Sequence, residues 1–252
     1  MEPASPLKTT VPAGRSRIWE IDFLRGLSII LMVLYHLGFD LRELCGIRAL
    51  LGVEINLSSP FLVAAQYFFA GLFIILSGIS STLSRSNPRR GLKLLGVAAL
   101  VTAATYIFMP SAAIHFGIIH FLAASILIYG LTLERSKPAA CAVAAAIVFC
   151  LAGGLHFLMR HMAVRFDWLL PLGITSPTYS SFDYFPLVPW LGVFLAGAAL
   201  GKSIYSPKQS LIPRRLPETI INAAGRHSLL IYIIHQPLIL AILYAAGLLR
   251  LQ

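Results

Sequence analysis

Seven apolar segments, each long enough to cross a lipid bilayer, restrict this chain to the membrane proteins. A membrane-spanning helix needs about 20 mostly apolar residues. Only 12% of the residues are charged and 58% are hydrophobic, whereas soluble domains carry about 25% charged residues. We therefore predict an all-α polytopic membrane helical bundle over residues 18–252, preceded by a polar cytoplasmic tail, residues 1–17, without a cleaved signal peptide. The predicted transmembrane helices cover residues 19–41, 61–83, 92–109, 113–133, 138–159, 184–204 and 228–249.

The distribution of Lys and Arg predicts how the bundle is oriented. Cytoplasmic loops of membrane proteins carry an excess of these residues. Here most of them lie in the tail and in the second, fourth and sixth loops, which include Arg89, Arg90, Arg214 and Arg215. This bias places the N-terminus in the cytoplasm and the C-terminus outside. Topology explains the net charge of +10, so we predict a lipid bilayer and no nucleic acid as partner, although the basic loops could also attract a phosphate-bearing cofactor.

The first predicted helix carries a stripe of ionisable residues on an otherwise apolar surface. On a helix that turns about 100° per residue, Asp22, Arg25, His36 and Asp40 fall within a sector of about 60°. Gly26 lies beside this stripe, where the missing side chain lets another helix or a ligand approach the backbone. Ionisable groups are costly inside a membrane and usually face a protein interior or a wet cavity. The stripe therefore predicts the wall of a functional site.

The residue types in this stripe suit acid–base chemistry and anion binding. His36 is the best candidate for a general base, because imidazole titrates near neutral pH, and Asp40, one turn later, could orient it. Alternatively, His36 only forms a hydrogen bond to a neighbouring helix. Arg25 suits a phosphate or a carboxylate, and it could equally form an internal salt bridge with Asp22, three residues earlier.

The predicted topology gathers polar residues of the later helices into two layers. The outer layer contains His36, Asp40, His120, Asp183 and Tyr184. The inner layer lies near Asp22 and Arg25 and contains Ser228, Tyr232 and His235, which share one helix face. For His120 and His235 a packing role and a site role both remain open. The His, Cys and acidic residues show no spacing typical of a metal site, and the nucleotide-binding and serine-nucleophile motifs are missing.

These residues carry a resemblance to a known family. The segment EIDFLRGLSIILMVLYH resembles the first helix of the transmembrane acyltransferase superfamily, in which an Arg and a His are separated by ten residues, here Arg25 and His36. The closer resemblance is to the bacterial DUF1624 group, which shares the catalytic domain of the heparan-α-glucosaminide N-acetyltransferases. Three later segments are also similar to that group: HFGIIHFLAAS around His120, FDYFPLVPWLGVFLAG around Asp183 and GRHSLLIYIIHQPLIL around His235.

The resemblance implies a multi-pass enzyme of the bacterial inner membrane that transfers an acyl group. The donor would be acetyl-CoA or another acyl-CoA, and the acceptor a sugar or glycan hydroxyl or amine across the membrane. His36 would be the catalytic base, supported by Asp40. We assign Arg25, Asp22 and His235 to the acyl-CoA site, and His120, Asp183 and Tyr184 to the acceptor side. No metal is expected, and a homo-oligomer is possible.

Two other classes of function remain open at this point. The stripe could conduct a proton or small solute in a transporter, although the internal repeats typical of transporters are not evident. The chain could also be a non-catalytic partner of another membrane enzyme. Within the acyltransferase hypothesis, the residues do not distinguish direct transfer from transfer through an acyl-histidine.

Overall fold

The fold is seen in a computed structural model that describes residues 18–50, 52–162, 164–212 and 219–249. The predicted tail, residues 1–17, and the basic residues Arg214, Arg215 and Arg250 lie outside the described residues. The described part is almost entirely helical, with one short hairpin formed by the strands β1 (Ala49–Leu50) and β2 (Val53–Glu54). Its helices are α1 (Trp19–Phe39), α2 (Pro60–Leu83), α3 (Asn87–Phe108), α4 (Ile118–Ile128), α5 (Pro138–His161), α6 (Leu187–Ile204), α7 (Ile220–Arg226) and α8 (Ser228–Ala245).

The predicted all-α polytopic bundle with about seven membrane helices is confirmed. Six helices of the described part are long and apolar enough to cross a membrane. A seventh apolar helix is shorter, because α4 with its π-helical continuation covers only Ile118–Leu133. A similar π-helical turn, Asp40–Leu44, extends α1. The orientation of the bundle stays a prediction from the positive-inside rule.

Three of the predicted helix starts were wrong: the third helix begins at Asn87 rather than at residue 92, and the other two errors share one cause. The fourth helix begins at Ile118 rather than at residue 113, and the sixth begins at Leu187 rather than at residue 184. The residues in front of these helices form bends and irregular backbone, and the two segments are hydrogen-bonded to each other. Phe182 N donates to Ala112 O at 3.2 Å, and Phe185 N donates to Phe116 O at 3.0 Å. Both segments are apolar, so hydropathy alone does not separate them from helix.

Glycines allow two pairs of helices to pack backbone against backbone. A Cβ added at Gly26 of α1 would lie 1.8 Å from the carbonyl oxygen of Ile221 in α7. In the other direction, a Cβ at Gly225 would lie 1.8 Å from the carbonyl oxygen of Asp22. Small residues are the usual means of close helix packing in membranes. The predicted role of Gly26, to admit a neighbouring backbone, is therefore confirmed.

Helices α2 and α6 form the second close pair. An added Cβ at Gly78 would lie 2.1 Å from Phe194 O, and one at Gly197 would lie 2.3 Å from Ile75 O. This contact helps to form the main core, whose fully buried members include Phe121, Phe194, Ile126 and Tyr129. The core holds α4 in the centre of the bundle, and α4 supplies one wall of the site described below.

Lys202 fastens the end of the α4 continuation to α6. Its Nζ donates to the carbonyl oxygens of Leu133, Glu134 and Ser136, at 2.7, 2.9 and 2.6 Å. The last carbonyls of a helix have no partner within the helix and carry partial negative charge. One ammonium group therefore satisfies the acceptors there and fixes the position of α4.

Candidate functional site

A cavity of about 640 Å³ lies among the helices at the predicted cytoplasmic side. This volume is in the usual range for ligand sites, about 300–1,000 Å³. Asp22 is the single acidic residue among the described residues that line it, whereas the basic residues are numerous. The cationic lining residues are Arg25, Arg90, Lys93, Lys208 and Arg226. Such a concentration of positive charge attracts an anionic ligand.

Arg25 is held in the wall of this cavity by partners on two helices. Its Nη1 lies 3.4 Å from Asp22 Oδ1, and its Nη2 donates a hydrogen bond to Ser80 Oγ on α2. The predicted internal salt bridge with Asp22 is therefore present. Ser80 in turn donates to the carbonyl oxygen of Leu76 at 2.6 Å. These contacts fix the direction of the guanidinium while Arg25 remains part of the cavity lining.

The opposite part of the cavity is apolar and reaches toward the middle of the bundle. Phe73, Val97, Ile119 and Leu122 line it, together with Tyr232 of α8. The cavity therefore combines a basic region with an apolar region, and Tyr232 brings a hydroxyl group to the latter.

Asp183 connects Tyr232 to the start of α4. Its Oδ2 accepts hydrogen bonds from Tyr232 Oη, at 2.7 Å, and from the backbone N–H of Ile118, at 2.9 Å. A Cβ added at Gly117 would lie 2.3 Å from the same oxygen, so only glycine leaves room for the carboxylate there. Burial raises the pKa of the Asp183 carboxyl, whereas the two hydrogen bonds and the nearby His36 lower it.

His36 and His235 lie side by side. Their ring centroids are 5.0 Å apart, with the ring planes at 80°. We expected His235 in the inner layer with Asp22 and Arg25, and this position was wrong: His235 packs against His36 instead. Its layer companions Ser228 and Tyr232 do line the inner cavity beside Asp22 and Arg25. The error arose because spacing along one helix shows a shared face but not the neighbour that the face contacts.

The backbone sets the same tautomer in both imidazoles. His36 Nδ1 lies 2.9 Å from Met32 O, and His235 Nδ1 lies 2.6 Å from Tyr232 O. A carbonyl oxygen only accepts hydrogen bonds, so each Nδ1 carries the hydrogen and each Nε2 carries the lone pair. His235 Nε2 is buried and has no hydrogen-bond partner among the described residues. The pair therefore presents basic nitrogens inside the bundle.

Asp40 lies near His36, but its hydrogen-bond partner belongs to α8. Its two carboxylate oxygens accept from Gln236 Nε2, at 3.1 and 2.8 Å, and the carboxyl group is buried, with 1% exposed. The imidazole of His36 is oriented by the hydrogen bond that its Nδ1 donates to Met32 O. Asp40 interacts with His36 through charge. Asp183 also interacts electrostatically with His36.

The other two residues predicted on the acceptor side have different partners. His120 Nε2 lies 2.9 Å from Thr102 Oγ1 of α3, and its Nδ1 is buried without a hydrogen-bond partner in the described part of the chain. Tyr184 Oη donates to Leu170 O at 2.7 Å, within the long loop before α6. Burial raises the pKa of Tyr184 to about 12. The structure therefore gathers His36, Asp40, Asp183 and His235, whereas Tyr184 stabilises a loop.

Several site residues were missed by the sequence analysis. Gln236 had a detectable signal, since it adjoins His235 in a polar interruption of an apolar helix. In the basic lining, Arg90 was among the loop residues that could attract a phosphate-bearing cofactor, whereas Lys93, Lys208 and Arg226 were explained by topology alone. Glu20 had no signal: its carboxylate is buried and accepts from Leu211 N at 2.8 Å and Ser210 Oγ at 2.5 Å, which holds the segment that carries Lys208. No group of three or more His, Cys, Asp or Glu residues among those described could hold a metal ion.

A family model described as "Heparan-alpha-glucosaminide N-acetyltransferase, catalytic" matches residues 17–237. The matched range includes the basic cavity lining and the cluster of His36, Asp40, Asp183 and His235. No curated protein and no solved structure matches the chain.

Proposed function

Because the chain belongs to the heparan-alpha-glucosaminide N-acetyltransferase catalytic family, we propose that it transfers an acetyl group from cytoplasmic acetyl-CoA to a sugar or glycan outside the membrane. The family and the apolar helices make it a membrane acetyltransferase. The donor, the acceptor, the roles of the residues and the location in a bacterial inner membrane belong to the proposal.

One observation carries the proposal: Tyr232 connects a basic cavity to a pair of histidines, of which His235 is buried. Tyr232 lines the cavity, its ring lies 5.6 Å from the ring of His235, and His235 contacts His36. The phosphates of the donor would lie near Arg25 and the other cations. The thioester would extend along the apolar wall toward the histidines.

In the proposed reaction, His36 acts as the general base. Its Nε2 takes the proton of the acceptor hydroxyl or amine as the acceptor oxygen or nitrogen attacks the thioester carbonyl carbon. The new acyl bond forms, the carbon–sulfur bond breaks, and the departing thiolate receives the proton from the imidazolium. The charges of Asp40 and Asp183 stabilise that imidazolium. His235 Nε2 would contact the acetyl end of the donor, and His120 would lie on the acceptor side.

The proposal is tested with purified protein in lipid vesicles, labelled acetyl-CoA and a glucosamine acceptor. A positioned general base contributes about 10²–10⁴-fold, so His36→Ala should lower kcat by at least about 100-fold. His156→Ala is the matched control, because His156 lies on the exposed surface of α5 and should not change the rate. If His36→Ala and wild type transfer equally, His36 is not the base. If wild type transfers nothing to several glycan acceptors, the proposed activity is wrong.

The same reaction without acceptor distinguishes the two chemical routes. Label recovered on a peptide that contains His36 or His235 would indicate an acyl-histidine intermediate. Direct transfer leaves both peptides unlabelled.

A further inference from the structure

Tyr232 holds a hydroxyl group at the boundary between the cavity and the histidine pair. It lines the cavity and packs against the apolar core that contains Ile119 and Leu122. Its hydroxyl oxygen lies 2.7 Å from Asp183 Oδ2. The general acid–base reaction proposed above does not use this hydroxyl group.

The direction of the Tyr232 hydrogen follows from what Asp183 already binds. The same Oδ2 accepts the Ile118 N–H at 2.9 Å, and a carboxylate only accepts hydrogen bonds. The phenol therefore donates its single hydrogen to Asp183. Its oxygen keeps acceptor capacity for another partner. Any side chain in place of Gly117 would collide with this carboxylate oxygen of Asp183.

The surroundings of Tyr232 show what kind of ligand group suits this acceptor. Phe73, Val97 and Leu122 provide an apolar wall, which matches methylene groups but leaves a ligand N–H without a partner. A ligand polar group that loses its hydrogen bond on burial weakens binding. A ligand that is mostly apolar and carries an occasional amide N–H would therefore need an acceptor such as the Tyr232 oxygen.

We infer that Tyr232 binds an amide N–H of the pantetheine arm of the donor, and that Asp183 is the positioning residue that turns the Tyr232 oxygen into an acceptor. This inference rests on the proposed function, which supplies acyl-CoA as the ligand. The pantetheine arm combines methylene groups with amides, which suits an apolar wall that carries the Tyr232 acceptor. The phosphate-bearing end of the same ligand matches the basic lining, which includes Arg90, Lys93 and Lys208.

The test compares CoA with adenosine 3′,5′-bisphosphate, which has phosphates but no pantetheine arm. The dissociation constants of both are measured by calorimetry for the full chain in detergent. Tyr232→Phe keeps the ring and removes the hydroxyl. It should raise the Kd of CoA about three- to tenfold, the effect of one neutral hydrogen bond, and leave the Kd of the bisphosphate unchanged. Tyr244→Phe is the matched control, because Tyr244 lies on the same helix with 56% of its surface exposed.

Each other outcome overturns a defined part of the reasoning. An unchanged Kd for CoA in Tyr232→Phe shows that the hydroxyl does not bind the arm. Equal weakening of CoA and the bisphosphate shows a general structural effect and also refutes the inference. If wild type binds the bisphosphate and CoA with the same Kd, the arm makes no contact. If wild type binds neither, the proposed donor itself is wrong, and the inference falls with it.

Discussion

The close contact between α1 and α7 predicts that Gly26→Ala damages both stability and activity. The added carbon would lie 1.8 Å from Ile221 O, whereas an ordinary carbon–oxygen contact is about 3.3–3.6 Å. The atom it meets belongs to a backbone, so no side chain can rotate away. The two helices must therefore separate by about 1.5 Å at this crossing.

The expected loss of stability follows from overpacking, and the expected loss of activity follows from the cations that the two helices carry. Overpacking typically costs about 1–3 kcal/mol, which should lower the apparent melting temperature by about 3–10 °C. Arg25 is next to Gly26 in α1, and Arg226 is next to Gly225 in α7, so a separation moves two cations of the cavity apart. A misplacement of about 1 Å can reduce catalysis about 100-fold. We expect a drop of this order in kcat/KM for acetyl-CoA.

The chain offers matched controls for this substitution. A Cβ added at Gly96 of α3 or Gly153 of α5 meets nothing within 4 Å. Gly96→Ala should therefore leave activity unchanged and raise stability slightly, since alanine favours a helix by up to about 1 kcal/mol over glycine. Melting is followed by tryptophan fluorescence in detergent, and transfer is measured in vesicles. If Gly26→Ala melts no lower than Gly96→Ala and keeps full activity, the proposed contact does not exist.

Three further substitutions test separate parts of the structure. Lys202→Met removes the donor to three carbonyls, and it should lower the melting temperature by about 5 °C, as expected for about 2 kcal/mol, without changing the KM for acetyl-CoA. Gln236→Leu leaves the buried Asp40 carboxylate without its amide partner. We expect kcat to fall about tenfold, because one charge-assisted hydrogen bond is lost. An unchanged kcat would show that Asp40 does not contribute to catalysis. Glu20→Ala releases the segment that carries Lys208, so the KM should rise at constant kcat, and hydrogen exchange at residues 206–212 should become faster.

The sequence was sufficient to predict the features that depend on local spacing. Apolar runs of membrane-spanning length predicted the bundle, and the i, i+3 spacing offered the contact between Asp22 and Arg25 as one alternative. The glycine beside the stripe predicted a close approach to α1. These features depend on one helix at a time, and the geometry of a single helix is fixed by its hydrogen bonds.

Features that join distant parts of the chain could not be predicted in this way. His36 and His235 meet across two helices that are far apart in sequence, and spacing within either helix does not show the contact. The helix starts at Ile118 and Leu187 also depend on a tertiary contact, because the non-helical residues before them form hydrogen bonds to each other. The partner of Asp40 was missed for the same reason, since Gln236 reaches it from α8.

Asp183 shows how such a tertiary contact links the two ends of the candidate site. Its carboxylate is fixed to the first N–H of α4 and to Tyr232 of α8, and it interacts electrostatically with His36. Tyr232 also holds the tautomer of His235 through its carbonyl oxygen. A shift of the non-helical segment that carries Asp183 would therefore act on the cavity wall and on both histidines together.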